Sequence, residues 1–356
     1  MMNNLDVQTI RGCLLGSVED ALSDHSIVNR ILSLTDSFDT ANGTLTADVR
    51  VAYVGTAVYD IPRYREHYTH CFAERGCVVD EVCIANAALA LRGDPHLHAS
   101  ACAVTNDQLH CLENAHIVLI PDGNTLYAVR RWEETGLDAC LRAIAARGTI
   151  IVGGGCWFRA MHSDSANPKT YVHSLWASEN ALAAKSTTRE VGMGKVEGLA
   201  EVDEGEEEEE NSWPFICVRG LGALPGIFCA CHAVGTADYH KVVESFDNML
   251  KRHPSDRGIL LGCTVALLLF GNGKYEVLPV ATKVRVPRTL LDGFCLKNVV
   301  EGIVRTETPE MCGNVENLFR PPQGPVVRDP FEKYYAMANP TPLSERFSYP
   351  PFLCHE

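Results

Sequence analysis

The chain has 356 residues, 46% hydrophobic and 21% charged, with a formal charge of −14. This is the composition of a globular protein with room for a large core, and the acidic balance excludes nonspecific nucleic-acid binding, which needs clustered Lys and Arg. Eight acidic residues fall within Glu201 to Glu210, so much of the excess is local.

In chain order, Thr9 to Leu15 reads as a short apolar strand, and Glu19 to Leu34 carries apolar positions at helical spacing. Val49 to Val54 reads as a buried strand, Tyr64 to Arg75 as a helix and Cys77 to Ile84 as the next strand. Ala115 to Ile120 is a further strand, followed by a helix over Leu126 to Ala146 and a strand over Thr149 to Val152. Strands separated by helices of roughly ten to twenty residues need crossover connections, hence a mostly parallel, doubly wound sheet. Residues 1–162 are therefore the first part of an α/β domain. In such sheets ligands sit beyond the carboxyl ends of the strands. Two Gly-rich turns fall there, "PDGNT" (121–125) and "GGGCW" (153–157).

Residues 163–212 break this rhythm. They are rich in Ser, Ala and Glu and end in "EVDEGEEEEEN", too charged to bury, so they read as a disordered acidic insertion. Apolar character resumes over 213–300, the second part of the same domain, with strand-like segments at Trp213 to Val218 and Ile227 to Cys231. Gly258 to Phe270 and Tyr275 to Leu278 read as a hairpin around "GNGK". Residues 301–356, with "PPQGP" and "YPPF", read as a proline-rich tail.

Fifteen cysteines form an odd set without a spaced disulfide framework, and the amino terminus lacks a signal-peptide pattern. No apolar run reaches the roughly 20 residues that cross a bilayer. A cytoplasmic protein without membrane or nucleic-acid partners is expected, its acidic loop and proline-rich tail being candidate protein contacts. "CACH" (229–232) has no second ligand pair at zinc spacing, so neither metal nor cofactor is expected.

The stretch "IIVGGGCWFRAM" (150–161) has the shape of a nucleophile elbow, a strand turning through glycines toward a helix. Cys156 at such a turn becomes reactive if a helix terminus and an imidazole lower its pKa; otherwise it is one more inert core thiol. His232 has the matching choice between general base and satisfied core histidine, with His162 and Asp164 as a reserve pair. Gly123 and Asn124 offer backbone N–H donors to an oxyanion, or the turn is a plain one in which Asn124 or Thr125 caps the helix starting near Leu126.

"AHIVLIPDGNTLYAVRRWEETGLDACLRAIAARGTIIVGGG" (115–155) resembles the peptidase E family of aspartyl dipeptidases, relatives of the cyanophycinases. The resemblance lies in a strand, a GGGNT-like turn with Asp122 in place of one glycine, a helix, a second strand and an elbow. It implies a three-layer α/β sandwich of the class I glutamine-amidotransferase-like kind. "GALPGIFCACH" (222–232) resembles the segment bearing the family's catalytic histidine, which places that role on His232. The chain also departs from the pattern. An ungapped match puts Gly155 at the nucleophile position, and a shift of one puts Cys156 there. Trp157, Phe158 and Arg159 replace small residues, Ser212 falls at the acidic triad position, and Val265 stands where the family has a further glutamate.

Two functions follow from the resemblance. One is a hydrolase cleaving small acidic or aspartyl peptides by acyl transfer, with Cys156 as nucleophile, His232 as base and Ser212 as orienter. Gly123, Asn124, Gly155 and Trp157 then line the oxyanion and substrate side. The other is an inactive relative kept as a binding or scaffold protein, which Gly155, Val265 and Trp157 favour. A thiol enzyme acting on amides or aldehydes is a third, lesser reading.

Overall fold

A computed structural model describes residues 6–85, 104–123, 125–162, 216–231, 239–280 and 293–320. Its first part runs β1 (Arg11–Leu15), α1 (Val18–Leu22), α2 (His25–Leu32), a small ribbon of β2 (Phe38–Asp39) and β3 (Thr44–Leu45), β4 (Arg50–Tyr53), α3 (Pro62–Ala73) and β5 (Val78–Glu81). It continues through α4 (Asn106–Glu113), β6 (Ile117–Leu119), α5 (Thr125–Thr135), α6 (Leu137–Ala146) and β7 (Ile150–Gly153). The later part contains β8 (Arg159–His162), β9 (Ile216–Val218), β10 (Ile227–Cys231), α7 (Tyr239–Arg252), β11 (Gly258–Gly262), β12 (Val265–Phe270) and β13 (Lys274–Pro279). It closes with β14 (Phe294–Val300), β15 (Ile303–Glu307), β16 (Cys312–Asn314) and α8 (Val315–Phe319).

The helices break where side chains compete with the helical ladder. At Asp24 the carboxylate accepts the Ser26 N–H at 2.8 Å, ending one helix and capping the next, so the single helix expected over Glu19 to Leu34 is two. The helix expected over Leu126 to Ala146 breaks at Gly136, whose φ of 77° lies in the left-handed region.

The strands form a mixed α/β fold with two large sheets, where one mostly parallel sheet was expected. The eight-stranded sheet has the order β16-β13-β12-β1-β7-β6-β4-β5, parallel from β1 to β5 and antiparallel from β12 outward. The six-stranded sheet runs β15-β14-β11-β10-β8-β9, with β8, β10 and β11 parallel.

Period-two alternation explains the layering. Leu14, Ala52, Val118 and Ile151 of the larger sheet face a core shared with Phe228, Ile259, Leu261 and Leu296 of the smaller sheet and with Trp132, Leu141 and Ile144 of α5 and α6. Leu15, Val51, Leu119 and Val152 face the opposite way, onto Ile27, Ile31 and Phe72 of α2 and α3. Cys229 and Leu260 of the smaller sheet face Phe246 and Leu250 of α7. Thus the parallel half has helices on both faces, while the second sheet covers the shared core.

Two boundaries differ from expectation. The apolar run Gly258 to Phe270 is two strands in different sheets, only the second of which forms the hairpin with β13. Strands buried on both faces carry one unbroken apolar signal, so the change of sheet leaves no mark. Residues 301–320, expected as the first part of the tail, instead join the fold: β15 extends the smaller sheet, β16 pairs with β13, and α8 buries Leu318 and Phe319.

Candidate active site

The two Gly-rich turns meet at the carboxyl edge of the larger sheet, because β6 and β7 are adjacent and parallel. Gly123 has φ 156°, and a Cβ there would stand 2.2 Å from the Ala57 carbonyl oxygen. At Gly153 φ is 140°, with a would-be Cβ 2.4 Å from the Ile120 carbonyl oxygen. Both positions need glycine to let the turns close on their neighbours.

Beyond β7 the expected α-helix is absent. Gly155–Trp157 make a single 3-10 turn, Phe158 is extended, and β8 starts at Arg159. Tertiary contacts account for this. The Cys156 carbonyl accepts the Leu221 N–H at 2.8 Å, and the Trp157 carbonyl accepts the Ala223 N–H at 3.0 Å. Those acceptors would otherwise serve a helical ladder. Trp157 is fully buried and donates its Nε1–H to the Val152 carbonyl at 3.3 Å, while Phe158 stacks on Phe228 at 4.9 Å. An extended chain lets both neighbouring rings bury.

Cys156 is 3% exposed, and its Sγ donates to Thr125 Oγ1 at 3.7 Å. Burial pushes the thiol up to about 12; the Thr125 contact offsets part of this, and the Asp122 carboxylate adds to it. A reactive cysteine needs the opposite surroundings: a positive neighbour, a helix amino terminus and access. Gly155 is also packed, since a Cβ there would lie 3.0 Å from that of Ala160.

Asp122 ties the edge together. Its Oδ2 accepts the Val18 N–H at the start of α1 at 2.5 Å, and its Oδ1 lies 3.3 Å from the place a Cβ would take at Gly154. The carboxylate therefore reaches over the elbow from the β6 turn to the β1 turn. It also helps raise the Tyr68 phenol of α3 to about 12, after burial.

The remaining expected site residues divide as follows. His232, Ser212, Asn124 and Asp164 lie outside the described residues, as do the acidic insertion and residues 321–356. Phe228, near the start of β10, is the part of that strand against the elbow, and it pairs with Ala160. Val265 is buried in the shared core. Thr125, read only as a cap, turns out to be the hydrogen-bond partner of Cys156; its place four residues after Pro121 in "PDGNT" was the available signal. Among the described residues, no group of three or more His, Cys, Asp or Glu side chains is arranged to hold a metal ion. No described helix is long and apolar enough to cross a membrane.

Over nearly its whole length the chain is similar to a Trypanosoma brucei brucei protein named G2/mitotic-specific cyclin-1: 47% identity across 347 residues, covering 97% of this chain and 98% of the other. The two belong to one family. Residues 23–183, which include both turns and the elbow, match the family model of peptidase family S51. A Bacillus subtilis (strain 168) protein named peptidase YgaJ is 27% identical over 130 residues, 35% of this chain and 50% of that one. A solved structure named as a peptidase E protein from Listeria monocytogenes EGD-e aligns with TM-score 0.39 and 11% identity, covering 76% of this chain and 98% of that chain. The S51 match thus spans the same segment that carries the peptidase E resemblance in the sequence.

Proposed function

We propose that this S51-family chain is a binding or scaffold protein in which the hydrolase elbow is retained as structure and its chemistry is lost. The observation that carries this reading is the surroundings of Cys156. It is a buried thiol pushed up to about 12, without a following helix and beside the Asp122 carboxylate. A thiolate nucleophile and an oxyanion both need positive or donating surroundings, and a carboxylate opposes both. The relative that shares nearly half its residues is named as a cyclin rather than a peptidase, which agrees with a role other than cleavage. On this reading the protein works in the cytoplasm, and the acidic segment and proline-rich tail make its protein contacts.

A second reading keeps the enzyme. It is favoured by the S51 match across the elbow and by the Cys156–Thr125 contact at the carboxyl edge. Cys156 would then attack small acidic or aspartyl peptides, with His232 as base, Ser212 as orienter, and Gly123 and Asn124 donating to the oxyanion. Incubating the full chain and Cys156→Ala with N-terminal aspartyl dipeptides separates the two. Equal, background-level product release supports the binding role; release that depends on Cys156 overturns it.

A further inference from the structure

β15 is the outermost strand of the smaller sheet, and among the described residues no strand pairs with its far side. The turn leading into it decides which backbone groups face outward. Val300 and Ile303 are register partners across Glu301 and Gly302, whose φ values are 53° and 77°, so they close the hairpin as a hydrogen-bonded pair. Alternation then commits the N–H and C=O groups of Ile303, Arg305 and Glu307 to β14. Those of Val304 and Thr306 point away from the sheet. Such an edge is a template for another strand.

The side chains here are as open as the backbone. Ile303 is 56% exposed and Val300 43%, two of the three exposed large hydrophobic residues among the described ones. Arg305 is exposed and makes no ion pair among the described residues. Glu307 is held in place: Arg257 donates to one of its oxygens at 2.6 Å and Asn298 to the other at 2.8 Å, yet its side chain stays 53% exposed. A carboxylate accepts about four hydrogen bonds, so this one has capacity left. Two residues apart, Arg305 and Glu307 lie on one face of β15.

We propose that β15 pairs antiparallel with β15 of a second copy of this chain, about a two-fold axis through Thr306, joining the two smaller sheets into one. In this register Thr306 exchanges N–H···O=C bonds with Thr306 of the second copy, and Val304 pairs with its Thr308. Arg305 falls opposite Glu307 of the second copy, and Glu307 opposite its Arg305, in the closely spaced pairing where side chains meet. Ile303 comes opposite Pro309 of the second copy, a position whose missing N–H would not face the joint. Other two-fold registers fail. An axis through Arg305 or Glu307 sets like charges face to face, and one through Val304 sets Glu307 against Glu301. Nearer the hairpin tip, the left-handed turn ends the strand. Charged residues normally keep strand edges apart, but the two-fold turns these into complementary pairs.

Analytical ultracentrifugation of the full chain over about 1–200 μM tests this, since an edge contact of this size should give a dimer with a micromolar Kd. Arg305→Glu should weaken dimerisation at least about tenfold, because it sets like charges opposite each other twice. Thr306→Pro removes a donor that no bond inside the chain uses, so it should abolish the dimer and leave the circular dichroism spectrum unchanged. On oxidation, Thr306→Cys should give a disulfide-linked dimer above the wild-type background, since Cα atoms facing in such a pair lie about 5.5 Å apart. Ile303→Cys, about 20 Å from its counterpart in this register, should stay at background. A chain monomeric throughout, a dimer unaffected by Arg305→Glu and Thr306→Pro, or equal cross-linking at positions 303 and 306 overturns the pairing.

Discussion

The turns after β7 and β4 lie at the same carboxyl edge, and each buries one ionisable side chain. Cys156 and Asp60 are comparably enclosed, at 3% and 7% exposed, yet their surroundings differ in donors. Asp60 receives two backbone N–H groups within 2.6 Å, whereas Cys156 has a long contact with a hydroxyl and a carboxylate nearby. Burial alone penalises any charged form; what separates the two is how many dipoles point at it. The β4 turn keeps its carboxyl titratable near neutral pH, raised by burial to about 6, and the β7 turn holds its thiol neutral.

The largest effect that tests this contrast lies at Trp157. Its ring fills the space under the elbow, so Trp157→Ala should cost about 3–5 kcal/mol, measured by chemical denaturation. A loss below about 1 kcal/mol would mean the elbow is not held by that ring. Next comes thiol reactivity. Quantitative mass spectrometry of iodoacetamide labelling near pH 7.5 should find Cys156 at least about 100-fold slower than the exposed Cys312. Cys156 among the fastest thiols would break the comparison and restore the enzyme reading. Asp122→Asn should cost about 1 kcal/mol, because the Val18 N–H keeps a neutral acceptor in place of a charged one. It should also quicken Cys156 labelling several-fold by removing a negative neighbour. The smallest effect is at Thr125. Thr125→Val removes the thiol's acceptor and should change stability by roughly 0.5–1 kcal/mol while leaving labelling slow.

Much of the parallel half was legible because its strands are short apolar runs punctuated by helices, and each expected strand there has its counterpart within a few residues. What failed to show were changes of direction. "GILLGCTVALLLF" carries no polar position at the point where the chain leaves one sheet for the other, and "CWFRAMH" gives no sign that its carbonyls serve residues 221 to 223. Such information lies in partners distant in sequence. The candidate site shows the same limit. The meeting of the two glycine turns followed from strand order, but the burial of Cys156 depends on Trp157, Phe158 and Phe228 closing around it. Asp60 was silent because a lone acid before "IP" has no spacing to read; only its tolerance of the left-handed region hinted at a turn.

The pairing of β1 has a consequence for how the molecule is made. One side of this strand joins β7, but the other joins β12, with Arg11 opposite Phe270. A chain emerging from the ribosome can assemble its parallel strands early, yet β1 keeps an open edge until the hairpin of β12 and β13 is synthesised. Bare strand edges invite pairing with other chains. A protein truncated before residue 265 should therefore aggregate rather than persist as a smaller folded unit, and the long delay makes this edge a natural client for chaperones during synthesis.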